Sequence, residues 1–447
     1  PQRSTMMPRD VVLLLLVLFG ASSGCLQDAP SAYNLTGVVC RLTYPAVAVL
    51  NEKTTKVIEA AFQHARYPSM NGEKSLLFIG RVLYGLDNLE IHNLSIGRSA
   101  FELLPGEGIA MEISNVSAVF KGTIQYGYGS WLVSVAQSLD FEIESQIDLG
   151  INPKLYCGEG KVAADTSDCY LNFHKLHLHL QGDKEPNWLK KLFTDFITFT
   201  VKLVIKGQIC KEINKVANIL ADFIQERAEH FLSDGNISVD VGVTTAPVIT
   251  ANYIESYHKG LTHYNNTTAV ISDSGFHPSQ LTEHRMLYFR LSDHMLNPML
   301  TAAHQDGRFQ LNVSGDELAV RSCSQQKFTH VVAAVVSLWD GCVSERVPEQ
   351  PLRVWSSSVP RLNTTSAGST VWAQASAELR CGTEGTPTLS FQTVTFVELT
   401  RLLDKQGTHL FDIFNPEVIP QDGFTVVQMD FGFPHHLLVE FLKRTLQ

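Results

Sequence analysis

The chain has 447 residues, with 35 Lys and Arg against 45 Asp and Glu, so its formal net charge is −10. Hydrophobic residues make up 44% of the sequence, which is typical of a packed protein and excludes disorder over most of the chain. An acidic chain with only 18% charged residues lacks the cationic surface that neutralises a phosphate backbone. We therefore exclude nucleic acid as a partner.

Residues 1–24 have the pattern of a few upstream residues followed by a secretory signal peptide. Arg9 precedes the apolar run Val11–Phe19, which is too short to span a bilayer, and the small residues Ala21–Gly24 follow it. We expect cleavage before Cys25. The mature chain is then predicted to be secreted and to have no transmembrane anchor.

Export makes two further signals interpretable, namely glycosylation sequons and cysteines. N-x-S/T sequons, each a candidate glycosylation site, begin at Asn34, Asn93, Asn115, Asn236, Asn265, Asn266, Asn312 and Asn363. None of the 8 cysteines forms a C-x-x-C motif, which argues against zinc ribbons and thioredoxin-like chemistry. In an oxidising compartment some of them are expected to pair.

The first half of the mature chain predicts one helix and a long antiparallel sheet. Apolar residues at helical spacing predict an amphipathic helix over Val47–Tyr67. Apolar and polar residues then alternate over five segments, which predicts strands with one buried face: Leu76–Tyr84, Leu89–Leu103, Ile109–Phe120, Trp131–Leu149 and Tyr170–Leu180.

A much longer helix is predicted over Asn187–Leu232, where only Gly207 interrupts the apolar stripe. Such a helix would be about 65 to 70 Å long. Alternation resumes over Ile237–Ile254, and a curved sheet wrapped around one long helix predicts an open-ended barrel.

The second half gives fewer signals. Met286–Leu291 and Arg308–Val313 are predicted strands, and Thr395–Leu403 is a predicted helix. Between Ser344 and Ser390, abundant Ser, Thr, Pro and Gly without a sustained period predict loop or poorly specified structure. A C-terminal amphipathic helix is predicted after Phe433, over 434–447.

No catalytic constellation is evident, and the strongest metal-ligand pattern is weak. His177 and His179 share one face of a predicted strand, where polar positions on the solvent side are the ordinary explanation. Cys169, at the start of that strand, and Cys210, on the long helix, are the best disulfide candidates, since a bond would join helix to sheet. Two buried thiols are the alternative, because sequence alone does not fix connectivity.

Five stretches of sequence resemble the family that includes bactericidal/permeability-increasing and lipopolysaccharide-binding proteins, and within it the branch that transfers cholesteryl esters. They are Val38–Thr43, Val119–Thr123, Asp168–Leu171, Lys206–Asn214 and Asp430–Pro434. The resemblance implies an elongated boomerang of two barrels, each a twisted antiparallel sheet around a long helix, joined by a central sheet. It also implies the Cys169 to Cys210 disulfide.

The resemblance further implies a secreted plasma carrier that exchanges cholesteryl ester and triglyceride, with phospholipid, between high-density and lower-density lipoprotein particles through an apolar tunnel. No cofactor and no metal are implied, and no bond is made or broken. Residues assigned to lipid by this resemblance are the polar Gln225, Arg227, Ser256 and His258, the apolar Cys40 and Phe289, and, around the C-terminal helix, Phe431, Phe433, Leu438 and Phe441.

These patterns predict a domain organisation of an N-terminal lipid-binding barrel over 25–270, a linker, central sheet and shortened C-terminal barrel over 271–433, and the terminal helix. The second half is short for the family, and the shortfall follows Leu318. Two other functions stay open: a phospholipid- or lipopolysaccharide-binding protein of innate defence, against which the net charge of −10 counts, and a secreted lipid-ester hydrolase, for which no nucleophile, base and orienting group can be identified.

Overall fold

A computed structural model describes residues 25, 35–62, 69–76, 80–130, 133–181, 233–269, 271, 276, 283–313, 352–378, 388–396 and 412–432, together with separate positions from 202 to 232. These residues are mostly in strands, with few helices, which confirms the α+β class. In chain order the elements are β1 (Val38–Thr43), α1 (Tyr44–Phe62), β2 (Met70–Leu76), β3 (Gly80–Leu104), β4 (Gly108–Ser130), β5 (Val133–Ile151), β6 (Lys154–Gly158), β7 (Lys161–Asp165), β8 (Cys169–Leu180), β9 (Ser238–Asp240), β10 (Val248–Ile249), β11 (Tyr253–His258), β12 (Leu261–Tyr264), β13 (Thr267–Thr268), β14 (Leu287–Ser292), α2 (Asp293–Gln305), β15 (Gln310–Val313), β16 (Leu352–Ser356), β17 (Arg361–Thr365), β18 (Gly368–Glu378), β19 (Thr388–Phe396), β20 (Asp412–Gln421) and β21 (Phe424–Gly432).

The chain divides into two compact units. The first unit comprises Leu42–Ile224, Ala246–Glu255 and Phe431–Gln447, and the second comprises Pro1–Arg41, Gln225–Thr245 and Ser256–Asp430.

The first unit contains a five-stranded antiparallel sheet in the order β2-β3-β4-β5-β8. Alternating apolar side chains cover one face of it, and the most deeply buried are Leu89, Ile91, Phe120, Phe141 and Ile143. The predicted strands Leu89–Leu103, Ile109–Phe120 and Tyr170–Leu180 are therefore confirmed, and Trp131–Leu149 is confirmed from Val133 onward. The prediction of one strand over Leu76–Tyr84 was wrong, because β2 ends at Leu76 and β3 begins at Gly80. The described strands leave β2 and β8 as open edges, so they form no closed barrel, and the two-barrel arrangement stays a prediction.

β-Bulges keep the apolar side chains of the long strands on the buried face, and the sequence-based prediction missed these bulges. In β3 and β4 the ladder shifts register at Asn88, Asn93 and Asn115, each with a positive φ between 50° and 55°. Asn tolerates the left-handed region better than most residues, and one extra residue moves the following apolar side chains back to the buried face. His174 marks a similar irregularity in β8, after which the packed positions change from odd to even numbers.

Helical residues pack against this sheet, where Ile213 contacts the buried apolar cluster. Positions described from Lys202 to Leu232 are helical where the predicted long helix runs, and residues 187–201 lie outside the described part. A disulfide joins Cys169 of β8 to Cys210 of this helix, with an S–S distance of 2.02 Å. The β6–β7 hairpin adds polar contacts, since the Asn218 amide donates to the Ala164 carbonyl at 3.1 Å.

The second unit contains adjacent strands in the order β11-β1-β14-β21-β20. Strands β14 and β21 pair along six residues each, from Leu287 opposite Met429 to Ser292 opposite Phe424. Apolar residues cover both faces: Phe289 and Leu291 pack against a cluster with Val38 and Met295, and the opposite face carries the buried Tyr288 with Val39, Phe276, Phe424 and Val426.

Helix α2 follows β14 and was not predicted. Ser292 caps it, because its hydroxyl accepts from the His294 N–H at 3.1 Å, and Met295 and Ala302 face inward. Pro298 inside the helix obscured the pattern, although the Ser-Asp start was a usable signal.

Two predictions for the second half were wrong. The Ser344–Ser390 stretch contains strands β16, β17, β18 and the start of β19, because its many Thr and Val residues favour extended backbone despite the lack of a clean period. The predicted helix at Thr395–Leu403 begins in a strand, since Thr395 and Phe396 pair with β18. Residues 397–403 lie outside the described part.

Candidate functional site

A hydrogen-bonded chain of three groups lies at the end of β11. The Ser256 hydroxyl is 2.8 Å from His258 Nε2, and His258 Nδ1 is 2.8 Å from the carbonyl oxygen of Val241. A carbonyl can only accept, so Nδ1 carries the hydrogen. In the neutral ring Nε2 is then the acceptor, and the Ser256 hydroxyl donates to it.

The backbone around this Ser-His chain holds it in register. Ser256 and His258 are two residues apart on one strand, so their side chains share a face. His258 forms a β-bridge with Val243, and the Lys259 N–H donates to the Gly242 carbonyl at 2.9 Å. These bonds bring the segment after β9 beside β11 and so supply the Val241 carbonyl.

Burial controls the charge of His258. Desolvation lowers the pKa of its imidazole below the usual value, and the hydrogen bond to Val241 opposes that shift only in part. The ring is therefore neutral at physiological pH. The neutral ring can accept a hydrogen bond from a hydroxyl, but burial disfavours its protonated, positively charged form.

Apolar side chains lie next to the hydrogen-bonded Ser-His chain. Val241 is buried in the same cluster against which Phe289 packs, together with Val38, Val239 and Met295. Phe289 is half-buried on β14. The structure therefore brings Phe289 near Val241, whose carbonyl orients His258. The sequence analysis had assigned Phe289 and His258 to lipid without placing them together.

The other residues assigned to lipid are placed less completely. Cys40 is a half-buried thiol on β1. Gln225 lies on the helix and donates to Glu229 at 3.0 Å. Phe431 belongs to β21, and its side chain lies outside the described part, as do four whole residues: Arg227, Phe433, Leu438 and Phe441.

The cysteine, histidine and sequon predictions have separate outcomes. Cys169 and Cys210 form the disulfide that the sequence favoured, and Cys25 and Cys157 are also disulfide-bonded. His177 and His179 are exposed on β8, as expected for the solvent face of an amphipathic strand. In the described residues no group of ligating side chains has the arrangement of a metal site.

The sequons occupy several local conformations. Asn93 and Asn115 lie at bulges, and Asn265 and Asn266 form the turn between β12 and β13, all with positive φ. Asn312 and Asn363 lie in strands with exposed side chains, and Asn236 lies in a turn next to β9, while Asn34 is outside the described residues. Their occupancy stays a prediction.

Comparison with known proteins shows which family the chain is similar to. Residues 46–222 match the LBP / BPI / CETP family, N-terminal domain, and residues 232–381 match the C-terminal domain of the same family. The cholesteryl ester transfer protein of Gallus gallus is 40% identical over 502 residues, with 97% of each chain covered. The chain belongs to the LBP / BPI / CETP family.

Other family members match at two levels. The cholesteryl ester transfer protein of Homo sapiens is 41% identical over 493 residues, covering 96% of this chain and 98% of the relative. The lipopolysaccharide-binding protein of Homo sapiens is 23% identical over 295 residues, covering 65% and 60%. The relatives matched over nearly their whole length are thus named as transfer proteins and not as enzymes.

The alignments also bear on the length of this family member. They run over 493 to 502 residues, more than the 447 of this chain, so part of each relative's length has no counterpart here. A crystal structure of lipopolysaccharide binding protein aligns with a TM-score of 0.46 and 16% identity, covering 89% of this chain and 99% of the other. In the described residues no helix is both long and apolar enough to cross a membrane.

Proposed function

We propose that this family member is a secreted carrier that moves cholesteryl esters and triglycerides, with phospholipid, between lipoprotein particles. The observation that carries the proposal is the 40 to 41% identity to cholesteryl ester transfer proteins over almost the full length of both chains. Lipid binding is the property of the family, and the individual lipids and the high-density and lower-density particles are the proposed substrates and partners.

The energetics of neutral lipids support a closed apolar route. A neutral ester that buries on the order of 1,000 Å² is stabilised by about 25 kcal/mol relative to water, at about 25 cal/mol per Å². Free diffusion of such a molecule between particles is negligible. A tunnel through two barrels, as the family resemblance implies, would provide the apolar path, and no reaction is needed because exchange follows the concentration gradients.

We infer that the Ser-His chain lies at the lipid site, where Phe289 would provide apolar contact. The Ser256 hydroxyl donates its one hydrogen to His258, so its oxygen would accept a hydrogen bond from a donor on a phospholipid headgroup. Secretion is supported by the disulfide between Cys169 and Cys210, since such bonds persist in oxidising compartments. The sequons and the predicted signal peptide agree with that route.

Ester hydrolysis is the second candidate, because the structure brings together a hydroxyl, an imidazole and an orienting acceptor. Three features count against it. Burial lowers the pKa of His258, which weakens it as a general base. The group behind it is the neutral carbonyl of Val241 and not a carboxylate that would stabilise an imidazolium. The relatives matched over nearly their full length are named for transfer.

A transfer assay with a hydrolysis readout tests the proposal. The purified secreted chain is mixed with high-density particles carrying acyl-labelled cholesteryl ester and with unlabelled low-density particles. We expect labelled ester in the acceptor, no released fatty acid, and less transfer for Phe289→Gln. His179→Ala, on the exposed face of β8, is the control and should transfer at the full rate.

Two outcomes would contradict the proposal. Absence of transfer by a folded, secreted chain would remove the carrier function, and selective binding of lipopolysaccharide would favour the defence alternative. Release of fatty acid that disappears in Ser256→Ala would establish the hydrolase instead.

A further inference from the structure

A cleft with both polar and apolar side chains in its lining is present in the second unit and is separate from the Ser-His chain. It has a volume of about 1010 Å³ and lies between the β12–β13 hairpin, α2 and the β17–β18 pair. Threonine hydroxyls and side-chain amides line much of it, including Thr262, Thr301 and Asn297, and Trp372 lies at its edge. The hydroxyls and amides of this lining can form hydrogen bonds with a polar ligand.

Strand β17 forms one wall of this cleft, and its outer edge is occupied by α2. The Leu362 N–H donates to the Asn297 side chain at 2.8 Å, and the Asn297 amide donates back to the Leu362 carbonyl at 3.0 Å. The Thr364 N–H and hydroxyl donate to the Asp293 carboxylate at 2.7 and 2.6 Å. Alternation along the strand therefore turns Asn363 to the other face, where it is exposed.

Trp372 is on that same face. Arg361 pairs directly with Trp372 and Asn363 pairs with Thr370, so Asn363 is the diagonal neighbour of the indole. Trp372 has 53% of its surface exposed, although large aromatic side chains usually bury most of theirs. An exposed aromatic plane beside a cleft of mixed lining is a surface suited to a sugar ring, which has apolar C–H faces and hydroxyls at its rim.

Asn363 begins the sequon Asn363-Thr364-Thr365. We propose that Asn363 carries an N-linked glycan whose first sugars lie on Trp372 and enter the mouth of this cleft. In the reaction, C1 of a lipid-pyrophosphate-linked oligosaccharide forms a bond to the Asn363 side-chain nitrogen and its bond to the pyrophosphate oxygen breaks. The nitrogen loses one proton, and the lipid pyrophosphate is the leaving group.

The inference rests on the secretion that the proposed function includes, because this reaction occurs on the secretory route. It goes further in choosing one sequon and giving the attached sugar a place. The turn at Asn265 and Asn266 offers a competing source, since Thr267 and Thr268 also line the cleft. The experiment must therefore separate the two attachment points.

The first measurement is site occupancy by peptide mass spectrometry on the full secreted chain. We expect Asn363 to be occupied, the modification to be lost in Thr365→Ala, and to be retained in Thr365→Ser, which keeps both the sequon and a hydroxyl that can donate to the Gly368 carbonyl. An unmodified Asn363 beside other occupied sequons would overturn the inference and leave secretion intact. A chain that is not secreted and carries no glycan would overturn both.

The second measurement is the quenching of Trp372 fluorescence by acrylamide, taken as the difference between each chain and its Trp372→Phe counterpart. We expect this difference to increase in Thr365→Ala and to stay unchanged in Thr365→Ser. Replacing Asn265 and Asn266 together by Asp removes both competing sequons, and Asp tolerates the positive φ of these positions. An increase in this double variant with none in Thr365→Ala would assign the cleft to a glycan of that turn, and no change in either would leave Trp372 uncovered. Both results overturn the inference.

Discussion

Replacing His258 by Leu tests the Ser-His chain most directly. The change removes the donor to the Val241 carbonyl and the acceptor for the Ser256 hydroxyl, while a side chain of similar bulk remains. His258→Asn is the matched variant, since its amide can reproduce the Nδ1 donor but not the Nε2 acceptor.

The expected costs follow from counting unsatisfied groups. A buried polar group that loses its partner costs about 1 to 3 kcal/mol. Val241 is buried and Ser256 is half-buried, so His258→Leu should lower the free energy of unfolding by about 2 to 4 kcal/mol and His258→Asn by about 1 kcal/mol. Adding Ser256→Ala to His258→Leu should cost almost nothing more, because the hydroxyl has already lost its acceptor.

The pH dependence gives an independent test. The folded pKa of His258 is lowered by burial, so below the unfolded pKa of about 6.5 the unfolded chain binds a proton that the folded chain does not. The stability that depends on a neutral His258 is therefore full above about pH 6.5 and declines as the pH falls below it. The variants lack this group, so their stability deficit relative to the parent chain should shrink between pH 7 and pH 5.

Urea unfolding of the parent chain and the three variants at pH 7 and pH 5 provides the measurement. Equal losses for His258→Leu and His258→Asn would show that the Val241 bond contributes nothing. A deficit that stays constant with pH would show that the ring titrates alike in the folded and unfolded chains, and either result would refute the reasoning.

Three further predictions concern the scaffold and the C-terminus. Replacing Cys169 and Cys210 together by Ala should cost about 4 kcal/mol in the chain-entropy model for a separation of 41 residues, measured by urea unfolding, and a cost below about 1 kcal/mol would contradict it. Asn88→Val should cost about 1 to 2 kcal/mol through its positive φ while Asn88→Gly is tolerated, so equal midpoints would count against strain at this bulge. If the predicted terminal helix shields neutral lipid, changing Leu438 and Phe441 to Asp should abolish transfer of labelled cholesteryl ester while secretion persists. Full transfer by this variant would refute that role. Retention of the variant in the cell would instead favour a helix that only closes the core.

Sequence patterns predicted the long strands because burial of one sheet face imposes a period of two over many residues. Leu89, Ile91, Phe120 and Ile143 could all be assigned to the core on this basis. Bulges escaped prediction because each shifts the period by a single residue, and the left-handed Asn that marks it is a common loop residue. Their positions depend on the partner strand, which local pattern does not contain.

The candidate site shows the same limit. Spacing alone places Ser256 and His258 on one face of a strand. The third member, the Val241 carbonyl, is 17 residues from His258 and belongs to the backbone, so no side-chain motif could reveal it. Helix α2 was missed because Pro298 interrupts a pattern that tertiary packing of Met295 and Ala302 restores.

The chemistry of the Ser-His chain depends on what a neutral imidazole can do. A hydrolase needs its histidine to take the serine proton and hold the resulting positive charge, which a carboxylate behind the ring stabilises. Here the ring is desolvated and faces the carbonyl of Val241, so protonation is disfavoured. The Ser256 hydroxyl then keeps its proton. The hydroxyl that a hydrolase would use as its nucleophile is thus not activated, which agrees with a carrier that leaves esters intact.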